Sequence, residues 1–310
     1  MKNVKLLIVS LALILACGNV KAQFGGIRRA AERGAERAVE KHVEKKVEEA
    51  VTKELEKSAA EAEKEAEKLA ADIEEAQQAQ AEANAQVAEI FDEIPEVGNT
   101  PYTPSEGEFA FFALKKGAVQ VLASKDAKGK VTAQTRNTVK EITGKKNAFA
   151  IHYESEILDE KGKPANKENP LIINYRIVVK DDIMYLDMKE MFAAMEGLGD
   201  VQVSGKVMKI PNNLSVGQTL EDASAKVKIG FINCTAVMTE GKCLAIEDVT
   251  VEAGTFQCYK ISQLINVTAM GSKNENTTLT WYAKGVGAVK TETYDKKGKL
   301  QSTQELNVNK

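Results

Sequence analysis

The sequence predicts an α+β chain: a long, charged, coiled-coil-like N-terminal helix, then a mainly antiparallel β-domain, a curved sheet or open barrel with one short helix. Two observations predict it. The composition breaks near residue 95. From Arg28 to Ile94 the chain is Ala, Glu and Lys/Arg with few aromatics, whereas every Pro and the single Trp, Trp281, come later. The hydrophobic period changes at the same point, from helical spacing to strand-like alternation. The expected divisions are a targeting segment over 1–22, the helix over 23–94, a linker over 95–107 and the β-domain over 108–310. The last is long enough to bury a core of its own.

The first element is an export signal. Met1–Lys5 is a short basic start, and Leu6–Ala16 is an apolar run too short to span a bilayer as a stable helix. Val20-Lys-Ala22 places small or aliphatic residues where a signal peptidase needs them, which predicts cleavage after Ala22 and Gln23 as the mature terminus. Ile14-Leu-Ala-Cys17 offers the alternative, a lipobox-like run that would lipidate Cys17 and tether the chain to a membrane. Both readings place the protein in the periplasm or cell envelope.

From Ala31 the chain repeats a four-residue unit: a small or aliphatic residue, usually an acid, usually a base, then a variable position. On a helix of 3.6 residues per turn, that step rotates the apolar ridge by about 40° per unit. Beyond Leu55 the steps alternate between four and three residues, an alanine-rich heptad seam through Leu69, Ile73, Val87 and Ile90. The charges run against a helix dipole, with Arg28, Arg29, Arg33, Arg37 and Lys41 at the start and an acidic excess beyond Glu54. This order suggests self-association of residues 28–94 in antiparallel fashion, or docking of the basic end on an anionic membrane or wall polymer; a solvated single helix is the plainer reading.

Past the linker come short alternating segments bounded by turn residues: Ala118–Ser124, Ala148–Ile157, Leu171–Val179, Val227–Val237, Thr255–Ile265, Thr277–Tyr282 and Val286–Tyr294. Three turns share one chemistry, Asp126-Ala-Lys-Gly-Lys130, Asp159-Glu-Lys-Gly-Lys163 and Asp295-Lys-Lys-Gly-Lys299. In each, Asp caps the turn and Gly supplies a positive φ. Gly254 is expected at a tight turn before Phe256, and Gly285 and Gly287 at a bend or bulge after Trp281-Tyr282. The run Asp187–Glu196, stopped by Gly197, reads as a helix. Its Met188, Met191, Phe192 and Met195 form one face, either a plug for one side of the sheet or an adaptable lid over an apolar cavity.

The chemistry-bearing residues form no catalytic pattern. No nucleophile elbow, Walker loop or zinc-protease motif is present, and Asp181, Asp182 and Asp187 read as turn and strand-end residues. The sequence implies no cofactor or metal, with only His42 and His152 available and cysteine spacings that fit no zinc pattern. A simple meander puts hairpin turns at Thr239–Lys242 and Ala253–Gly254. Cys243 then lies opposite Met238 and Cys258 opposite Val249, leaving Cys234, Cys243 and Cys258 as buried or idle thiols. The net charge of −3, without a dense basic patch interleaved with aromatics, argues against nucleic acid as a partner.

Val249-Thr-Val-Glu-Ala-Gly-Thr-Phe-Gln-Cys-Tyr-Lys-Ile261 and Trp281-Tyr-Ala-Lys-Gly-Val-Gly-Ala-Val-Lys290, with the closing Asp-x-Lys-Gly-Lys turn, resemble the TapB-like exported proteins of Bacteroidetes-type bacteria. Leu114–Gly117 and Ile210–Leu220 resemble upstream blocks of that family, so the resemblance covers about residues 108–310. It implies a curved antiparallel sheet or open barrel in the envelope and no particular activity; Ile246 departs from the expected pattern. The functional expectation is a non-catalytic envelope protein whose β-domain binds an apolar or amphipathic ligand, with the helix as stalk or docking arm. A structural protein acting through helix self-association comes second, and an envelope hydrolase last.

Overall fold

The structure is a computed structural model and describes residues 94–105, 111–165, 170–187, 201–229, 232–269 and 272–307. The described residues contain strands and no helix, so the α+β expectation is corrected to all-β: the backbone hydrogen bonding that builds the domain runs from strand to strand. Residues 23–93 of the expected coiled-coil segment lie outside the described residues, as do the signal positions Ala22, Gln23 and Cys17. So do Met188, Met191, Phe192 and Met195. Of the run expected to be helical, Asp187 is described, and it ends a strand.

The described residues form thirteen strands: β1 (Val119–Asp126), β2 (Val131–Lys145), β3 (Ala148–Leu158), β4 (Ile172–Lys180), β5 (Ile183–Asp187), β6 (Val201–Lys206) and β7 (Lys209–Pro211), then β8 (Ala223–Ile229), β9 (Ile232–Val251), β10 (Gly254–Ala269), β11 (Ser272–Ala283), β12 (Gly287–Asp295) and β13 (Leu300–Asn307). They form one antiparallel sheet in the order β6-β8-β9-β10-β11-β12-β13-β1-β2-β3-β4-β5-β7. Two meanders, β1–β5 and β8–β13, are stitched together by the pairing of β13 with β1.

The three Asp-x-Lys-Gly-Lys segments are tight turns of one design. Oδ1 of Asp126, Asp159 and Asp295 each accepts two backbone N–H groups, from the residues two and four positions later, at 2.9–3.0 Å. β1, β3 and β12 all run toward these turns, so the three tips gather at one end of the sheet. Asp181 and Asp182, at φ of 51° and 60°, make the β4–β5 turn. The turn expected at Thr239–Lys242 is absent. β9 runs straight through it, and a register shift absorbs Glu240 at φ 54°. The expected strand Val227–Val237 is instead split, with Ile229 of β8 pairing Ile232 of β9. A Glu-Gly pair inside a long strand mimics a turn signal but marks a bulge here. The cysteine register changes accordingly: Cys234 faces Ala269, Cys243 faces Ile261 and Cys258 faces Glu247. All three are buried free thiols.

The edge strands explain how so wide a sheet is finished. β6 and β7 stand at opposite ends of the strand order, yet only Val207 and Met208 separate them in the chain. Residues 201–206 pair with β8, Met208 O accepts the Leu186 N–H at 3.1 Å, and residues 209–211 pair with β5. The following loop adds to β9, with Leu220 N–H donating to Gly241 O and Cys243 N–H to Gln218 O. One continuous segment thus bridges the two margins and rolls the sheet into a barrel-like shape.

Two buried clusters fill the roll, and both join strands that are distant in the sheet. Toward the turn end, Ile173 of β4 packs with Ala225, Val227, Ala236 and Ile265 of β8–β10. Toward the opposite end, Ile151, Tyr153 and Ile177 pack with Cys243, Ile261 and Tyr282. Phe111, fully buried, plugs this second end, its ring 5.0 Å from that of Tyr259. Part of the expected linker is docked as well: Tyr102 N–H donates to Ile142 O, and its ring lies 5.9 Å from that of Phe149.

The seam depends on a close backbone approach. A Cβ on Gly205, at φ 147°, would stand 2.1 Å from the Ser224 carbonyl oxygen. Gly205→Ala is therefore expected to destabilise the chain by roughly 1–3 kcal/mol, read as a lowered Tm in thermal unfolding followed by circular dichroism; an unchanged Tm would contradict the seam geometry. The Asp295 carboxyl is held below the usual aspartate range chiefly by the Lys299 backbone N–H; desolvation opposes this, and the Lys297 N–H and the charges of both lysines add to the lowering. Its contribution to stability is present above the unfolded aspartate pKa and is lost as pH falls through the lower folded value. An NMR titration of Asp295 should give a midpoint below the ordinary value of about 3.9.

Candidate functional site

Rolling the sheet leaves a cavity of about 110 Å³ between the two clusters, lined from both walls. One wall is apolar: Ile157, Ile177, Met184, Leu186, Met208 and Ile210, from β3, β4, β5, β7 and the seam. From β3 round through β2, β1 and β13 to β10 the lining carries hydroxyls and amides, Asn137, Ser155, Gln263, Thr278, Thr280 and Gln304, interspersed with Leu122, Ile265, Tyr282 and Ala288. Among the described residues no Asp, Glu, Lys, Arg or His lines the cavity. The site therefore offers dispersion on one side and neutral hydrogen-bonding groups on the other, which suits an uncharged or amphipathic group.

The polar wall is largely self-satisfied. Ser155 Oγ donates to Asn137 Oδ1 at 2.6 Å, Gln304 Nε2 to Ser124 Oγ at 3.3 Å, and Thr291 and Thr280 hydroxyls meet at 3.3 Å. Gln120 Nε2 donates to the Val286 carbonyl. Each net hydrogen bond contributes about 0.5–1.5 kcal/mol, whereas an unpartnered buried group costs about 1–3 kcal/mol. Partnering is what lets this barrel hold polar side chains inside.

The residues singled out in the sequence separate onto two faces. Tyr282, Gly287 and Ala288 border the cavity, and Tyr282 packs on Phe111 and Phe112 with ring centroids 6.1 and 6.4 Å apart. Gly287, at φ 121°, follows the turn marked by Gly285 and pairs with Ala283 beside a register shift, the expected bend. Trp281 points the other way. With Cys258, Val289 and the partly buried Phe256 it forms a small cluster on the outer face. Its Nε1–H donates to Glu247 Oε1 at 2.6 Å, and the Lys260 and Lys290 ammoniums lie 4.8 and 5.2 Å from its ring. Gly254 opens β10 at φ 135°, at the expected β9–β10 turn. Trp281, Phe256 and Gly254 are therefore structural and do not reach the cavity.

Sequence reasoning missed the polar wall. In Thr277–Tyr282 the apolar Leu279 and Trp281 alternate with Thr278 and Thr280, and the usual rule turns the apolar set inward. Here the threonines face the cavity. The available signal was the recurrence of Thr, Ser and Gln at every second position in β11, β12 and β13. Asp187 is buried and ion-paired, its Oδ2 2.5 Å from Arg176 Nε on the neighbouring strand, as befits a strand-end residue. The His152 ring meets the Thr143 hydroxyl at 3.2 Å.

The DUF3108-like family matches residues 115–306, from just before β1 to the penultimate residue of β13. The chain belongs to the DUF3108-like family. Among solved structures it is similar to a protein of Bacteroides fragilis described as exported and as having a YmcC-like fold: 20% identity, 64% of this chain and 99% of the other, TM-score 0.53. It is also similar to a protein of Parabacteroides distasonis described as a lipoprotein: 22% identity, 63% of this chain and 96% of the other, TM-score 0.53. At these identities the likeness establishes a shared fold. No curated protein matches the chain.

The three cysteines are poor nucleophiles. Burial pushes the Cys234 thiol up to about 11, and burial, reinforced by the Asp248 and Glu247 charges, pushes Cys258 up to about 11. Burial raises Cys243 as well, partly offset by a backbone hydrogen bond with Ala245. At pH 8 all three should resist iodoacetamide in the native chain and react fully after denaturation, as read by peptide mass mapping. Rapid native labelling of any of them would contradict the packing described here.

Proposed function

We propose that this is a non-catalytic protein of the bacterial envelope whose β-barrel interior takes up an apolar or amphipathic group. The observation that carries the reading is the cavity whose described lining is free of charged side chains, apolar along β3–β7 and richer in hydroxyls and amides along β10–β3. Export is supported by the signal-like residues 1–22 and by two solved structures of the same fold, described as an exported protein and a lipoprotein. The narrower kinship with TapB-like proteins belongs to the same proposal and rests on Val249–Ile261 and Trp281–Lys290. Residues 28–94 are assigned to self-association or to an anionic membrane or wall surface on their charge order alone.

Size favours one competing reading. A cavity of about 110 Å³ is below the roughly 300 Å³ at which pockets for drug-sized ligands begin. It suits a chain end or a small group, and it equally suits a filled barrel that serves as a structural module. Native mass spectrometry of the mature chain, purified from a periplasmic host without detergent, separates the two. Adducts in the lipid mass range that vanish on mild activation, and are absent from an Ile177→Trp variant with an unchanged Tm, are the expected result. A clean ligand-free mass that also resists lipid titration would turn the assignment to the structural reading.

A further inference from the structure

The turn end of the barrel holds a second concavity, different in kind from the interior. A hollow of about 610 Å³ opens between the β10–β11 hairpin and the β12–β13 turn. Three side chains in its lining, Asn276, Thr293 and Ser302, are 7%, 3% and 1% exposed. They sit on adjacent strands, with Thr293 directly opposite Ser302 and Asn276 opposite Asp295. Asn276 Nδ2, Thr293 Oγ1 and Ser302 Oγ have no hydrogen-bond partner among the described residues. Among the described residues two other buried side-chain atoms lack a partner, Asn212 Oδ1 and Asn266 Oδ1, and both are acceptors; the three unpartnered groups able to donate all gather around this one opening.

Exposed lysines Lys273, Lys296 and Lys297 border the same hollow. Two acids are there too. Asp295 is committed to its turn, accepting the N–H groups of Lys297 and Lys299 and the Gln301 side-chain amide at 2.9–3.0 Å. Glu275 stands exposed at the rim. The lysines disfavour a cation, and the three buried groups can all donate, which calls for a ligand with several acceptor oxygens.

We infer that this hollow is a binding site for a phosphate group, with Asn276, Thr293 and Ser302 donating to its oxygens and Lys273, Lys296 and Lys297 balancing its charge. The site is independent of the interior cavity, which has no charged lining residue among the described residues. It also accounts for the retention of polar side chains that burden the ligand-free fold. Replacing an unpartnered buried hydroxyl by an apolar group of similar shape relieves its desolvation cost. A purely structural role for these residues predicts no link between that relief and phosphate affinity.

The test is calorimetric titration of the mature chain with inorganic phosphate and, separately, with dihexanoyl phosphatidic acid below its micelle concentration. Binding of both supports a site for the phosphate group itself, and binding of the lipid alone supports a site for a lipid-borne phosphate. Thr293→Val and Ser302→Ala should each weaken binding about tenfold, equivalent to about 1.4 kcal/mol, while leaving Tm unchanged or raised. Lys161→Ala, at another turn of the same design, should leave affinity unchanged. Binding of neither probe overturns the inference. So does equal loss in Lys161→Ala, which would mark an adventitious ion only, or full affinity in both hydroxyl variants. Ile177→Trp, which fills the interior, should leave phosphate binding intact, so failure here is distinguishable from failure of the interior reading.

Discussion

A wide antiparallel sheet has two margins, and the N–H and C=O groups along them must find partners or invite another chain to pair. In this protein both margins belong to one stretch, residues 201–211, whose first half bonds to β8 and whose second half bonds to β5. The rest of the domain depends on that closure. It brings β3–β5 over β8–β10, so that Ile173 meets Ala236 and Ile265, and Tyr153 meets Ile261. Without the seam these faces would belong to an open sheet, and no enclosed cavity would form between them. Gly205 lies where the segment presses most closely on β8, which is why a side chain has no room there.

Closure also sets an unusual distribution of polarity. The inner face of β11–β13 presents threonine, serine and glutamine, while Trp281, Leu279 and Val289 cluster on the outer face. Outside, the cluster is covered by neighbouring side chains, with the Lys260 and Lys290 ammoniums over the indole and Glu247 on its N–H. Inside, the polar groups meet across strands and satisfy one another over most of the wall. The interior is thus neither a uniformly apolar core nor a solvent-filled pore, and the proposed affinity for amphipathic groups follows from that mixture.

The two ends of the roll differ for reasons visible in the chain. One is stoppered by Phe111 and Phe112, brought in by the segment before β1 and packed on Tyr259, Tyr282 and Tyr153. The other gathers the three Asp-x-Lys-Gly-Lys turns and the hollow beside the last of them. An aromatic stopper excludes water, whereas a lysine-bearing rim admits polar and anionic groups, so the barrel has a closed end and an accessible one.

By itself the sequence determined the local features that short-range chemistry decides. The Asp-x-Lys-Gly-Lys turns, the turn at Gly254 and the bend at Gly285–Gly287 were legible because each needs a particular residue at a particular φ. So was the antiparallel pattern, since period-two alternation between turn signals suits little else. The bulge at Glu240 was misread as a turn, because the partner strand that carries β9 through it is distant information. The inward threonines were not legible because alternation shows that two faces differ and not which one is enclosed. The seam, the cavity with its two walls, and the meeting of Asn276, Thr293 and Ser302 were decided by tertiary structure alone. Each joins residues far apart in the chain, and their proximity depends on how the whole sheet curls and closes.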